Sequence, residues 1–158
     1  MRLEDLAIRV IEAAEAAGAD FMTVGAIAAG AYGVPRSTRD VDILVSVATP
    51  GSVEAIIEHL NSVVSFDSQV TFDTLTRGRR HVGKSRGIPP FKVELFETFD
   101  DPFVKSEFSR RTKVFVPILA RDTWLPTPED VVVQKLRWGS NKDIEPERKG
   151  SGCRITGF

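Results

Sequence analysis

One cysteine, Cys153, gives this 158-residue chain no means of forming an intrachain disulfide. Domains without such staples are the rule in reducing compartments. No apolar run reaches the length needed to cross a bilayer. The opening Met1-Arg2-Leu3-Glu4-Asp5 carries acids where a secretory signal would be basic and then apolar. These absences predict a cytoplasmic protein with no membrane partner. Charge of one sign is missing too. With 21 basic and 22 acidic residues the net charge is −1, so a surface for a polyanion has to be local. Apolar residues at 42% and charged residues at 27% are ordinary for a globular protein, and the length suits one domain with a core. No internal repeat is visible.

The most informative stretch runs from Val24 to Val45. An apolar strand, Phe21 to Val24, ends at Gly25, and an Ala- and Gly-rich helix follows over Ala26 to Tyr32. A strand, a glycine turn and a helix leave backbone N–H groups pointing outward, where anions bind well. The plainer reading is that Gly25 only lets the chain turn sharply. A basic segment broken by Pro35 leads to Asp40-Val41-Asp42-Ile43-Leu44-Val45. On a strand, alternate side chains share a face. Asp40 and Asp42 therefore point one way, and Val41, Ile43 and Val45 point the other way into a core. Two ionised carboxylates one step apart repel, and a divalent cation between them removes that repulsion. Hard oxygen ligands suit Mg²⁺ or Mn²⁺.

Gly25-Ala26, the spacer Ile27 to Arg39 and the triplet Asp40-Val41-Asp42 resemble the signature of the nucleotidyltransferase superfamily. That signature is a Gly followed by Gly or Ser, a spacer, and an acidic–hydrophobic–acidic triplet on a strand. Ala26 departs from it. The wording Arg36-Ser37-Thr38-Arg39-Asp40-Val41-Asp42 is similar to the branch containing the AbiEii-type toxins. The resemblance implies an α+β (α/β-like) nucleotidyltransferase fold, a small mixed sheet flanked by helices. It implies Mg²⁺ or Mn²⁺ on Asp40 and Asp42, an NTP substrate, and nucleotide contacts at Gly25, Ala26, Arg36 and Arg39. It also implies a third carboxylate on a later strand, and Val93-Glu94-Leu95 has the right context for it. Glu94 then completes the metal site or takes the acceptor's proton. The plainer reading of Glu94 is an exposed strand acid paired with Lys92 or a neighbour.

Elsewhere the chain reads as alternating elements. Leu3 to Ala17 is an amphipathic helix stopped by Gly18. A helix capped by Thr49 or Ser52 runs through Leu60, and Val63 to Phe72 is another strand or a ragged hairpin arm. The one concentrated basic segment, Arg77 to Gly87, reads as a mobile loop or loose hairpin. It either grips a triphosphate or an RNA backbone or is a solvated tip, and the two readings are even. Its Gly83-Lys84-Ser85 is out of register with a phosphate-binding loop motif. Phe91 to Glu97 is a strand, with Val93 and Leu95 inward and Lys92, Glu94 and Phe96 on the other face. Asp101 to Arg110 is a short helix capped by Asp100 or Asp101, with Pro102 in its first turn; Thr112 to Val116 and Pro117 to Ala120 are edge strands, and Thr127-Pro128-Glu129-Asp130 starts another helix.

Lys135 on that last helix, followed by Lys142-Asp143, again resembles the AbiEii-type branch, which implies a phosphate clamp at Lys135; the alternative is a snorkelling helix lysine. Residues 1–145 are expected to form the nucleotidyltransferase-like domain, and 146–158 a disordered or atypical tail. Three functions follow from the resemblance. The chain is an enzyme that moves a nucleotidyl group to an RNA (tRNA) or protein hydroxyl as a toxin–antitoxin component. Otherwise it is an antitoxin-type nucleotidyltransferase that modifies a partner toxin, or a non-catalytic nucleotide- or partner-binding module.

Overall fold

The computed structural model describes residues 1–34, 37–73, 78–98 and 101–137. Arg36, Arg77 and the expected tail 146–158 lie outside these. The elements in order are α1 (Leu3–Ala16), β1 (Phe21–Val24), α2 (Gly25–Ala31), β2 (Asp40–Val45), α3 (Ser52–Leu60) and β3 (Val64–Phe66). They continue with β4 (Thr71–Asp73), β5 (Gly78–Ser85), β6 (Lys92–Glu97), α4 (Pro102–Ser109), β7 (Thr112–Val116) and β8 (Arg121–Leu125). A last helix, α5, covers 128–137 among the described residues. None of the helices among the described residues is long and apolar enough to cross a membrane.

The main sheet has the order β1-β2-β6-β5-β3, and β4 also pairs with β5. β2 and β6 run parallel, while the other pairs in this sheet are antiparallel. β7 and β8 form a separate antiparallel ribbon. The fold is therefore α+β, a mixed sheet flanked by helices.

Alternation along β2 and β6 sorts the two faces. Val41, Ile43, Val45, Val93 and Leu95 are buried against Leu6, Val10 and Ile11 of α1 and Ile56 and Leu60 of α3. Each such side chain, fully buried, contributes roughly 1.5–3 kcal/mol. The opposite face divides along its length. At one end Met22, Val24 and Leu44 pack with Val104 of α4, and Phe96, Phe108 and Trp124 border them. At the other end the same strands present Asp40, Asp42, Lys92 and Glu94.

Several local expectations need correction. From Gly78 to Ser85 the basic segment is not a mobile loop but a regular strand, hairpin-paired with its neighbours. It is β5, lying between β6 on one side and β3 and β4 on the other. Val63 to Phe72 is not one strand but the ragged hairpin arm, interrupted between β3 and β4, which both pair antiparallel with β5. Pro117 to Ala120 is the turn of a hairpin rather than a strand, closed by Leu119 N–H donating to the Val116 carbonyl at 3.0 Å and Ala120 N–H to that of Pro117 at 3.1 Å. The cap of α3 is neither Thr49 nor Ser52 but Gly51, at φ +80°. Ser52 instead donates its hydroxyl to the Thr49 carbonyl at 2.9 Å. The other two helix starts match the reading. Asp101 accepts from Phe103 N–H at 2.8 Å, and Thr127 Oγ1 from Asp130 N–H at 3.2 Å.

Candidate functional site

Register brings the acidic residues together. Across the parallel pair Asp40 faces Lys92 and Asp42 faces Glu94, so all four share one face at the start of the two strands. β1 adds Val24 opposite Asp42, and the chain turns at once into α2 through Gly25, at φ +70°. A Cβ on Gly25 would lie 2.4 Å from Asp42 Oδ2 and 3.2 Å from its Cγ. Glycine here does two things. It takes a left-handed backbone, and it lets the turn press against the central carboxylate.

The charges around Glu94 are compensated by side chains. Glu94 is 7% exposed, and Lys92 Nζ lies 3.2 Å from its Oε1. Lys92 also lies 3.8 Å from Asp40 Oδ2. Arg80 on β5 brings Nη1 to 3.0 Å of Glu94 Oε2, as an ion pair without hydrogen-bond alignment. Glu94 stands beside Asp42, and it is paired with Lys92, but it is buried rather than exposed. Among the described residues no group of three or more His, Cys, Asp or Glu side chains is arranged to hold a metal ion. The carboxylates of Asp40, Asp42 and Glu94 on one face supply oxygen donors only, a chemistry that suits a hard divalent cation. Lys92 lies between Asp40 and Glu94, within ion-pairing distance of both.

The remaining residues singled out in the sequence are dispersed. Ala26 opens α2 directly behind Gly25. Arg39 donates to the Pro90 carbonyl at 3.2 Å and lies over the Phe91 ring at 5.4 Å, turned toward the segment before β6. Lys135 is exposed on α5 and makes no ion pair with a described carboxylate. That helix is tied to α4 by other groups. Asp130 receives two hydrogen bonds from Arg110, at 2.9 and 2.7 Å, which hold its carboxyl below the usual range. Gln134 donates to Glu107, a fully buried acid whose pKa burial pushes up to about 8.

β5 divides the basic segment between the two faces. Arg80 faces Phe96 on the acidic side, and Lys84 faces Lys92 there. Arg79 and His81 turn to the helical side, where His81 Nε2 meets Glu97 Oε2 at 2.6 Å and Arg79 Nε lies 3.9 Å from the same oxygen. They line a cavity of about 550 Å³ with Ser52, Phe66 and Asp67. Sequence reasoning missed Arg80 as a partner of Glu94. Once β5 is known to be a strand, alternation from Arg80 to Lys84 would have found the face.

No family model matches the chain, and no curated protein matches it either. Solved structures of similar shape do exist. A putative nucleotidyltransferase from Thermotoga maritima aligns over 94% of this chain and 91% of its own, at 19% identity and a TM-score of 0.63. A putative nucleotidyltransferase from H. pylori aligns over 84% of this chain at 12% identity and a TM-score of 0.52. This chain spans 56% of the length of that second protein. At these identities the shared feature is the architecture: the chain has the fold of these nucleotidyltransferase-like structures.

Proposed function

We propose that this protein is a Mg²⁺- or Mn²⁺-dependent nucleotidyltransferase that moves a nucleotidyl group from an NTP to a hydroxyl of RNA, such as tRNA, or of a protein. The observation that carries the reading is the in-register placement of Asp42 beside Glu94 on parallel strands, with Asp40 on the same face and Gly25 pressed against Asp42. The fold shared with nucleotidyltransferase-like structures supports it.

In this reading Asp40 and Asp42 are the principal metal ligands, and Glu94 is the third ligand or the acceptor's base. A bound divalent cation supplies charge neutralisation to the phosphates in the manner of in-line phosphoryl transfer. Gly25 and Ala26 set the backbone close to the outer phosphates. The acceptor decides the biological setting: a toxin of the AbiEii type that modifies RNA, or an antitoxin-type enzyme that modifies a partner protein.

The ion pairs on Glu94 favour a second reading, a nucleotide-binding module in which Lys92 and Arg80 supply the positive charge. Incubation with each labelled NTP, Mg²⁺, and tRNA or cell protein separates the two. Label on RNA or protein is expected from the wild type. Asp42→Asn is expected to stay folded and to transfer none, and turnover retained in that variant refutes the assignment.

A further inference from the structure

We propose that Lys92 is the resident counter-ion of the acidic site, holding Asp40 and Glu94 until a divalent cation displaces it. This rests on the metal-dependent reading above. Lys92 stands between two neighbours in the sheet. On one side Lys84 is directly opposite it, and on the other Asp40 is. Like charges directly opposite across strands repel, so the ammonium leans toward β2. It settles 3.2 Å from Glu94 Oε1 and 3.8 Å from Asp40 Oδ2. Those two oxygens belong to two of the three carboxylates that a hard cation would use. An ammonium and a divalent ion cannot share the space between them.

The lysine is free to leave. Its side chain is 41% exposed, so it swings out without opening the core. Among the described residues Arg80 makes its ion pair with Glu94, at Oε2, and keeps that buried carboxylate compensated while the exchange takes place. A displaced Lys92 swings out to solvent on the face that also carries Lys84, where a polyphosphate between the two would offset their repulsion. Cation binding at the acids and phosphate binding at the lysines then favour each other, and such coupling is reciprocal.

The test is Mn²⁺ binding to the full chain, followed by electron paramagnetic resonance of the free ion. Lys92→Met is expected to bind Mn²⁺ roughly three- to tenfold more tightly than the wild type, the range that two half-exposed ion pairs allow. Lys92→Arg, which keeps the charge, is expected to stay near the wild type. Lys84→Met, which removes a charge from the same face but touches neither carboxylate, is expected to change affinity less than about twofold. Equal or weaker binding by Lys92→Met, or an equal gain in Lys84→Met, overturns the role of Lys92 and leaves the metal site standing. Absence of binding in both the wild type and Lys92→Met overturns the metal reading together with it.

Discussion

Gly25→Ala puts the geometry of the acidic turn to a direct test. Two costs add. The first is conformational: a residue with a Cβ held at φ +70° loses about 1 kcal/mol relative to glycine. The second is contact. The new methyl would sit 2.4 Å from Asp42 Oδ2, 3.2 Å from Cγ and 3.3 Å from Cβ. The carboxylate oxygen can rotate away, but Cγ and Cβ belong to a strand fixed on both sides, so the turn itself has to give by a few tenths of an ångström. Overpacking of this kind costs about 1–2 kcal/mol more, for a total of roughly 2–3 kcal/mol in urea unfolding. A double-mutant cycle with Asp42→Ala separates the two costs. With the carboxyl group gone, Gly25→Ala should cost only its backbone share, about 1 kcal/mol, leaving a coupling of about 1–2 kcal/mol. Strict additivity would show that the methyl never meets Asp42, and the account of Gly25 as a close-approach residue would fall.

Two further predictions concern the frame around the site. A Cβ on Gly83 would lie 2.7 Å from Val64 Cγ1 and 2.8 Å from Phe66 Cδ1. Gly83→Ala should therefore cost about 1–3 kcal/mol in denaturant unfolding while leaving Mn²⁺ affinity unchanged, because those contacts lie on the helical face; weakened Mn²⁺ binding would contradict that placement. Glu107, pushed up to about 8 from an ordinary 4.5 by burial, stays protonated in the folded chain while the unfolded chain ionises. Its contribution is complete below pH 4.5 and declines as pH rises toward 8, with a ceiling of about 5 kcal/mol. Glu107→Gln removes that decline and still accepts from Gln134, so its melting temperature should pull ahead of the wild type between pH 5 and 8. A gap that does not change with pH would refute this.

What could be read from the sequence was local and periodic. The two-residue period of Asp40 to Val45 fixed which side chains enter the core, because one face of that strand is buried and a slip of one residue would expose it. The same period in Phe91 to Glu97 placed Lys92 and Glu94 together. β5 escaped notice because Gly, Arg and Lys are poor strand formers and local propensity was overruled by neighbours. Gly83 is small because Val64 and Phe66 fill the space beside it. β8 begins with Arg121-Asp122, and its partner strand, not its own composition, makes it a strand. Arg80 at Glu94 was out of reach for a different reason. β6 inserts between β2 and β5, and strand order is a property of the whole fold that no short window contains.

The parallel pairing of β2 and β6 explains why the site needs cations of its own. In step, the two strands set Asp42 directly beside Glu94, and the apolar packing of Met22, Val24 and Leu44 continues from there. A carboxylate 7% exposed in such surroundings is costly unless its charge is matched. Asp40, at 40% exposure, is hydrated and bears the same charge at little cost. The requirement for compensation therefore rises from Asp40 inward to Glu94, and both Lys92 and Arg80 gather at the buried end. On the proposed metal-dependent reading, a divalent cation entering from the exposed side would meet Asp40 first and would have to replace charge that Lys92 and Arg80 already supply deeper in. On that reading, folding without the metal and binding the metal would make opposite demands on the same carboxylates, and Lys92, 41% exposed between them, would meet both.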